Sequence, residues 1–172
     1  MDSSNSSEVT DEVVESENVH LSLFMGYTNG VSQPQDSKLN KLVNECCGCA
    51  LLDTGCSTTV CGESWLNSYV ELLSDFDASA IVEKKSTASF TFGDGVSIKS
   101  LKRLVLPCYI GGKRCTLETD VVKCNVPLLF SKPSMKKGKM HLDFERDVAV
   151  IGGKSISLDS TASGHYLLPL TM

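Results

Sequence analysis

A mostly β domain with one or two short helices is what this sequence predicts, and two patterns predict it. From about Leu42 onward, short apolar runs are broken by Gly, Asn, Asp and Pro at close intervals, the spacing of a closed or sandwich-like β architecture. Only two segments carry helical periodicity. With 172 residues, the chain can bury one proper hydrophobic core but not two large ones.

Residues 1 to 40 are expected to stand apart from a folded domain over residues 41 to 172. The start, MDSSNSSEVTDEVVESE, is acidic and Ser-rich without an aromatic residue, so it has too little apolar surface to offset the entropy of ordering. A disordered lead-in or linker is expected there. Residues 1 to 40 hold seven acids (Asp2, Glu8, Asp11, Glu12, Glu15, Glu17, Asp36) against the single base Lys38, within a net charge of −5. The remainder is nearly balanced, which leaves no basic field for nucleic acid. No cationic segment leads into an apolar run, and no stretch has the length of a membrane span. A soluble intracellular protein is expected, with its eight cysteines as free thiols in a reducing compartment.

Taking the elements in order, Val19, Leu21, Leu23 and Met25 alternate with mainly polar residues and predict a strand over 19–25. Gly26 to Gly30 and Gln33 to Ser37 carry turn formers and predict a connector. Strands are then expected over Cys49–Leu52, Ala88–Phe92, Val96–Ile98, Leu104–Leu106, Cys115–Leu117, Asp120–Val122, Val148–Ile151 and Ser155–Leu158. Trp65, Leu66, Tyr69, Leu72 and Leu73 recur at three- and four-residue spacing and predict a helix over Glu63–Leu73. A shorter one is expected over Lys132–Lys137.

Asp53-Thr54-Gly55 occurs once, after an apolar strand and into a turn. The carboxylate then sits where a strand ends, and Gly55 lets backbone approach closely. Taken alone, three such residues are most often only a turn. Amide hydrolysis needs a base to activate water and an acid to protonate the leaving nitrogen. Two apposed carboxylates supply both by sharing a proton, because like charges at close range cannot both ionise. A single motif per chain therefore calls for a two-fold dimer with Asp53 at the axis.

The wider sequence supplies a context for that motif. Ala50-Leu-Leu-Asp-Thr-Gly-Cys-Ser-Thr-Thr-Val-Cys-Gly62 resembles the active-site strand and loop of the retropepsins, especially those of long-terminal-repeat retrotransposon polyproteins. Phe90-Thr-Phe-Gly-Asp-Gly-Val-Ser-Ile98 resembles the family's flap, and Asp94-Gly95 is a hairpin signal in its own right. Leu106 to Leu117 looks like the following hairpin with its turn at Gly111-Gly112, and Thr119 to Val122 like the strand before the second loop. Val126 to Lys137 is similar to the segment in which many members carry Gly-Arg before a helix; here Ser131-Lys132 takes that place. Met140 to Phe144 is similar to the chain end that interleaves with a partner, but this chain continues to Leu170 and beyond.

The resemblance covers residues near 45 to 170. It implies a retropepsin-like closed β-barrel, one acid-protease half, acting as a homodimeric aspartic endopeptidase on extended polyprotein segments. Asp53 would be catalytic, Thr54 and Gly55 would support it, and Phe92, Gly93, Asp94, Gly95 and Val96 would form the substrate-binding flap. No cofactor or metal is implied. The expected partners are a second copy of the chain and polyprotein peptides, with no membrane or nucleic acid. The expected setting is cytoplasmic, virus-like particles included.

Other chemistries fit less well. Cys46, Cys47, Cys49, Cys56 and Cys61 invite zinc, yet structural sites prefer two paired clusters separated by a longer loop, and neither His141 nor His165 follows a ligand spacing. A cysteine peptidase using Cys56 or Cys61 with His165 lacks any local sign of an activated thiolate. Gly62-Glu-Ser64-Trp-Leu66 lacks the second glycine of a serine-hydrolase elbow. Lys132, Lys136, Lys137 and Lys139 read as a solvated helix face. A non-catalytic retropepsin-like dimerisation or peptide-binding module is the alternative from a different class.

Overall fold

The computed structural model describes residues 18–20, 35–92, 95 and 97–172. The acidic start, residues 21–25 of the expected first strand and the connector from Gly26 to Gly30 lie outside the described residues.

The described elements are, in chain order, β1 (Asn18–His20), α1 (Gln35–Glu45), β2 (Cys49–Asp53), β3 (Val60–Gly62), α2 (Glu63–Leu72), α3 (Asp75–Ser79), β4 (Val82–Lys84) and β5 (Ser89–Thr91), followed by β6 (Ser97–Ile110), β7 (Lys113–Val122), β8 (Leu129–Ser131) and α4 (Lys132–Lys137). The chain then closes with β9 (His141–Asp143), β10 (Val148–Ile151), β11 (Lys154–Ser157), β12 (Asp159–Ser160) and β13 (Tyr166–Pro169). The protein is mostly β, as its turn spacing predicts.

The expected strands at Val96–Ile98 and Leu104–Leu106 are parts of one long β6, and those at Cys115–Leu117 and Asp120–Val122 are parts of β7. These two form a hairpin with Ile110 opposite Lys113, turning at Gly111 (φ 59°) and Gly112 (φ 73°). Both lie in the left-handed region that a two-residue hairpin turn of this kind requires and that glycine adopts without penalty. A register shift between Ser100 and Lys102 bends the hairpin's far end.

One sheet runs in the order β1-β5-β6-β7-β3-β8-β2-β13-β12, with β4 also on β6. Within it, β2 lies parallel to β8 and antiparallel to β13, with Leu51 opposite both Leu129 and Leu167. A strand flanked and covered this way reads as a continuous apolar run, and Ala50, Leu51 and Leu52 are all buried. A second sheet, β11-β10-β9, is built from the segment after α4.

α2 closes the core from one side. Trp65 and Tyr69 are fully buried and stack with ring centroids 4.9 Å apart. Trp65 Nε1 donates to the carbonyls of Cys46 (2.9 Å) and Cys49 (3.1 Å), while the Tyr69 hydroxyl lies 2.9 Å from Pro107 O and 3.3 Å from Leu170 O. The polar tips of these rings thus fasten the start of β2, the middle of β6 and the chain beyond β13 to one helix.

Four helices occur among the described residues where one or two short ones were expected. The helices at 63–72 and 132–137 answer to the predicted segments. α1 begins at Gln35, inside the turn-rich segment Gln33 to Ser37 that predicts a connector. Its core-facing residues are Leu42 and Val43, and Cys46 just beyond its end is fully buried. α3 is too short for periodicity and rests on a cap instead, with the Ser74 hydroxyl accepting from the Asp77 N–H at 3.2 Å.

Candidate active site

Asp53 is the last residue of β2 and lies half-buried where the strand gives way to a turn. The Gly55 N–H donates to Asp53 Oδ1 at 2.9 Å, and the Cys56 N–H to the Asp53 carbonyl at 3.2 Å. The turn therefore holds the carboxylate from below. The other carboxylate oxygen, Oδ2, is shielded from solvent and has no hydrogen-bond partner among the described residues. Thr54 and Gly55 are exposed beside it.

The loop that follows is anchored to a distant part of the chain. Asp53 faces Ser131 in the parallel β2/β8 ladder. Buried Thr59 accepts from the Ser131 N–H at 3.1 Å, and its Oγ1 lies 2.9 Å from Ser131 Oγ and 2.8 Å from Ser134 Oγ. The Lys132 N–H donates to the Cys56 carbonyl at 3.1 Å. Three uncharged hydroxyls thus hold the junction at which Ser131-Lys132 departs from the retropepsin pattern. Nothing in the sequence marked Thr59 for this part, because a hydroxyl after Asp-Thr-Gly has no periodicity or motif of its own.

The candidate flap is a hairpin with Thr91 opposite Ser97 and their hydroxyls 2.7 Å apart. Phe92 is half-buried, and its carbonyl accepts from the N–H of Gly95 (φ 80°) at 2.8 Å. Gly93, Asp94 and Val96 lie outside the described residues. At its base, fully buried Asp120 accepts from Arg103 Nη2 (2.7 Å), Arg103 Nε (3.1 Å) and Ser100 Oγ (2.9 Å), and also from Ser86 Oγ. A buried carboxylate left without such partners would cost the fold several hydrogen bonds. Its four donor contacts knit β6, β7 and the segment before β5.

Burial, not activation, marks Cys56 and Cys61. All eight are free thiols, and burial pushes both Cys56 and Cys61 up to about 12, the opposite of an activated nucleophile. Among the described residues no three His, Cys, Asp or Glu side chains gather as metal ligands. His165 sits in the turn before β13, its Nδ1 3.0 Å from Ser163 Oγ. No helix among the described residues is long and apolar enough to cross a membrane.

A cleft of about 590 Å³ opens beside this centre, running from Ser57–Thr59 and Ser131 along β7 to the β10–β11 turn. It places the segment beyond Phe144 next to the loop that follows Asp53.

No protein-family model matches this sequence, and no curated protein matches it. Among solved structures it is similar to the retroviral protease-like domain of Ddi1 from Leishmania major, with 14% sequence identity and a TM-score of 0.44 over 63% of this chain and 81% of that one. The likeness concerns the course of the backbone and bears on no activity.

Proposed function

We propose that this chain is one subunit of a homodimeric aspartic endopeptidase that cleaves extended polyprotein segments, the two copies of Asp53 forming a shared carboxylate pair. One observation carries the reading: Asp53 has one oxygen held by the Gly55 N–H, while the other is shielded and unpartnered among the described residues. A structural carboxylate at a strand end would ordinarily satisfy both. The exposure of Thr54 and Gly55 beside it suits a surface that a second copy would cover. The matching fold reading is the closed β-barrel half of a retropepsin, with the β5–β6 hairpin as its flap.

In this mechanism one Asp53 takes a proton from the attacking water. Its protonated counterpart donates to the scissile carbonyl and later to the leaving amine. Thr54 braces the pair across the axis, and the β5–β6 hairpin lies over a peptide bound as an added strand.

The test is peptide-library cleavage by the wild-type chain and by Asp53→Asn across a dilution series. Cleavage by the wild type alone, with specific activity falling below the dimer dissociation constant, is the expected result. Equal cleavage by both proteins would sink the proposal. A wild type that dimerises and cleaves nothing would leave a peptide-binding module in its place.

A further inference from the structure

The cleft that starts at the Ser57–Thr59 loop and Ser131 has a charge pattern that the endopeptidase reading does not use. Arg103, Lys113, Lys137 and Lys154 line it against only Glu118 and Asp120. Both carboxylates are already taken: Lys84 Nζ sits 2.9 Å from Glu118 and Arg103 Nη2 sits 2.7 Å from Asp120. Lys113 and Lys137 make no ion pair among the described residues, and Lys154 Nζ donates only to the Gly111 carbonyl, at 3.0 Å. Three ammonium groups thus share one concavity in which none has an ion pair of its own among the described residues, although Lys137 helps Lys84 and Arg103 hold the Glu118 carboxyl low.

The cleft also has the shape and lining of a peptide groove. Leu117 and Phe130 form a nearly buried apolar floor, and the Thr58 and Thr116 hydroxyls edge it. One end is Ser131, the register partner of Asp53. The far wall, Ile151, Gly152 and Lys154, belongs to the segment beyond Phe144. That wall is fixed in place: Lys154 bonds the tip of the β6–β7 hairpin, and Ile156 packs so closely that a Cβ on Gly111 would lie 3.3 Å from it.

We infer that this cleft is a distal subsite for an acidic peptide, in which Lys113, Lys137 and Lys154 receive carboxylates of the substrate chain several residues from the scissile bond. The inference rests on the endopeptidase reading for calling the peptide a substrate. The cationic lining alone selects the charge of the occupant. On this view the segment after β9 serves substrate choice by supplying one wall and one of the three cations.

The experiment separates the two ideas. A fluorescent peptide carrying residues 8–17 of this chain, which include Glu8, Asp11, Glu12, Glu15 and Glu17, is titrated against the full chain bearing Asp53→Asn, beside a version with Gln and Asn in place of each acid. At low salt the acidic peptide should bind about tenfold tighter, as three partly exposed ion pairs of ordinary strength imply, and the margin should shrink as salt is raised. The Lys113→Gln, Lys137→Gln, Lys154→Gln variant should lose the margin while keeping its native circular-dichroism spectrum, and Lys113→Gln, Lys137→Gln, which leaves the Lys154 bond to Gly111 in place, should lose most of it at an unchanged melting temperature. Equal binding of the two peptides, no binding of the acidic one, or a margin that survives in the triple variant overturns the subsite. Cleavage of library peptides by the wild type without any acidic preference would leave the enzyme and remove the subsite. Acidic binding without cleavage would keep the cleft's specificity and remove the enzyme.

Discussion

Thr59 and Ser131 meet through their hydroxyls at 2.9 Å inside the protein, and the same Thr59 oxygen accepts the Ser131 N–H at 3.1 Å. Because Ser131 is the ladder partner of Asp53, this contact sets how the loop after the carboxylate leaves the sheet. Thr59→Val keeps the shape and removes the acceptor, leaving a buried N–H short of a partner. The expected loss is about 1–3 kcal/mol of stability, read by urea denaturation. If Asp53 is catalytic, kcat should fall, since the change disturbs the carboxylate's support at the junction with Ser131.

Gly62 precedes α2 at a point where two chain segments nearly touch. Its N–H donates to Val126 O at 3.0 Å, and a Cβ there would lie 2.1 Å from the Cys124 carbonyl. Backbone on that side cannot swing away as a side chain could. Gly62→Ala should therefore cost about 3 kcal/mol or more, seen as a collapse of soluble yield or of melting temperature. A variant that melts with the wild type would show that the two segments are free to separate.

Asp77 gives a pH-dependent contribution with a definite sign. The Arg114 guanidinium, 2.8 Å away, holds its carboxyl below the usual range against the opposing effect of burial, helped by the Tyr109 hydroxyl and by Ser74. A depressed carboxyl stabilises the fold above the unfolded value, about 3.9, and loses that contribution as pH falls through the lower folded value. Asp77→Asn should accordingly melt below the wild type at pH 7, with the gap closing under acid. A gap that stays constant down to pH 2 would mean that the ion pair adds nothing.

β13 covers one edge of β2, with Leu168 opposite Ala50 and fully buried. Leu168→Ala should cost about 3 kcal/mol through lost burial and the cavity left behind. Removal of residues 159–172 should do more, because it uncovers an apolar strand edge next to Asp53 and invites pairing between molecules. Aggregation on gel filtration is the expected outcome. A soluble monomer lacking those residues would show that β13 is dispensable.

Much of this fold was legible because its signals are local. Glycines at 111 and 112 name a hairpin turn outright, and the Trp65–Leu66–Tyr69 spacing names the buried face of α2. The position of Asp53 at the end of an apolar strand was equally plain, since apolar residues on both faces mark a central strand. What the sequence could not carry was pairing between distant segments. Short β8 and β13 lack alternation, because strands buried on both faces have none to show. Nor does any pattern announce that Thr59 will meet Ser131, or that lysines 113, 137 and 154 will line one cleft. Those relations exist only once the long hairpin and the segment beyond Phe144 have been brought together.

The pairing of β13 with β2 also sets a timetable. Ala50 leaves the ribosome long before Leu168 does, by an interval on the order of ten seconds at ordinary elongation rates. Through most of that interval the strand ending in Asp53 lacks both of its neighbours, β8 and β13, and after β8 has emerged it still lacks one. Contacts between such distant parts of a chain form slowly in any case, because closing the loop precedes any gain from it. The carboxylate is therefore set in its final surroundings only after β13 arrives, and until then this wall of the sheet stands open on the nascent chain.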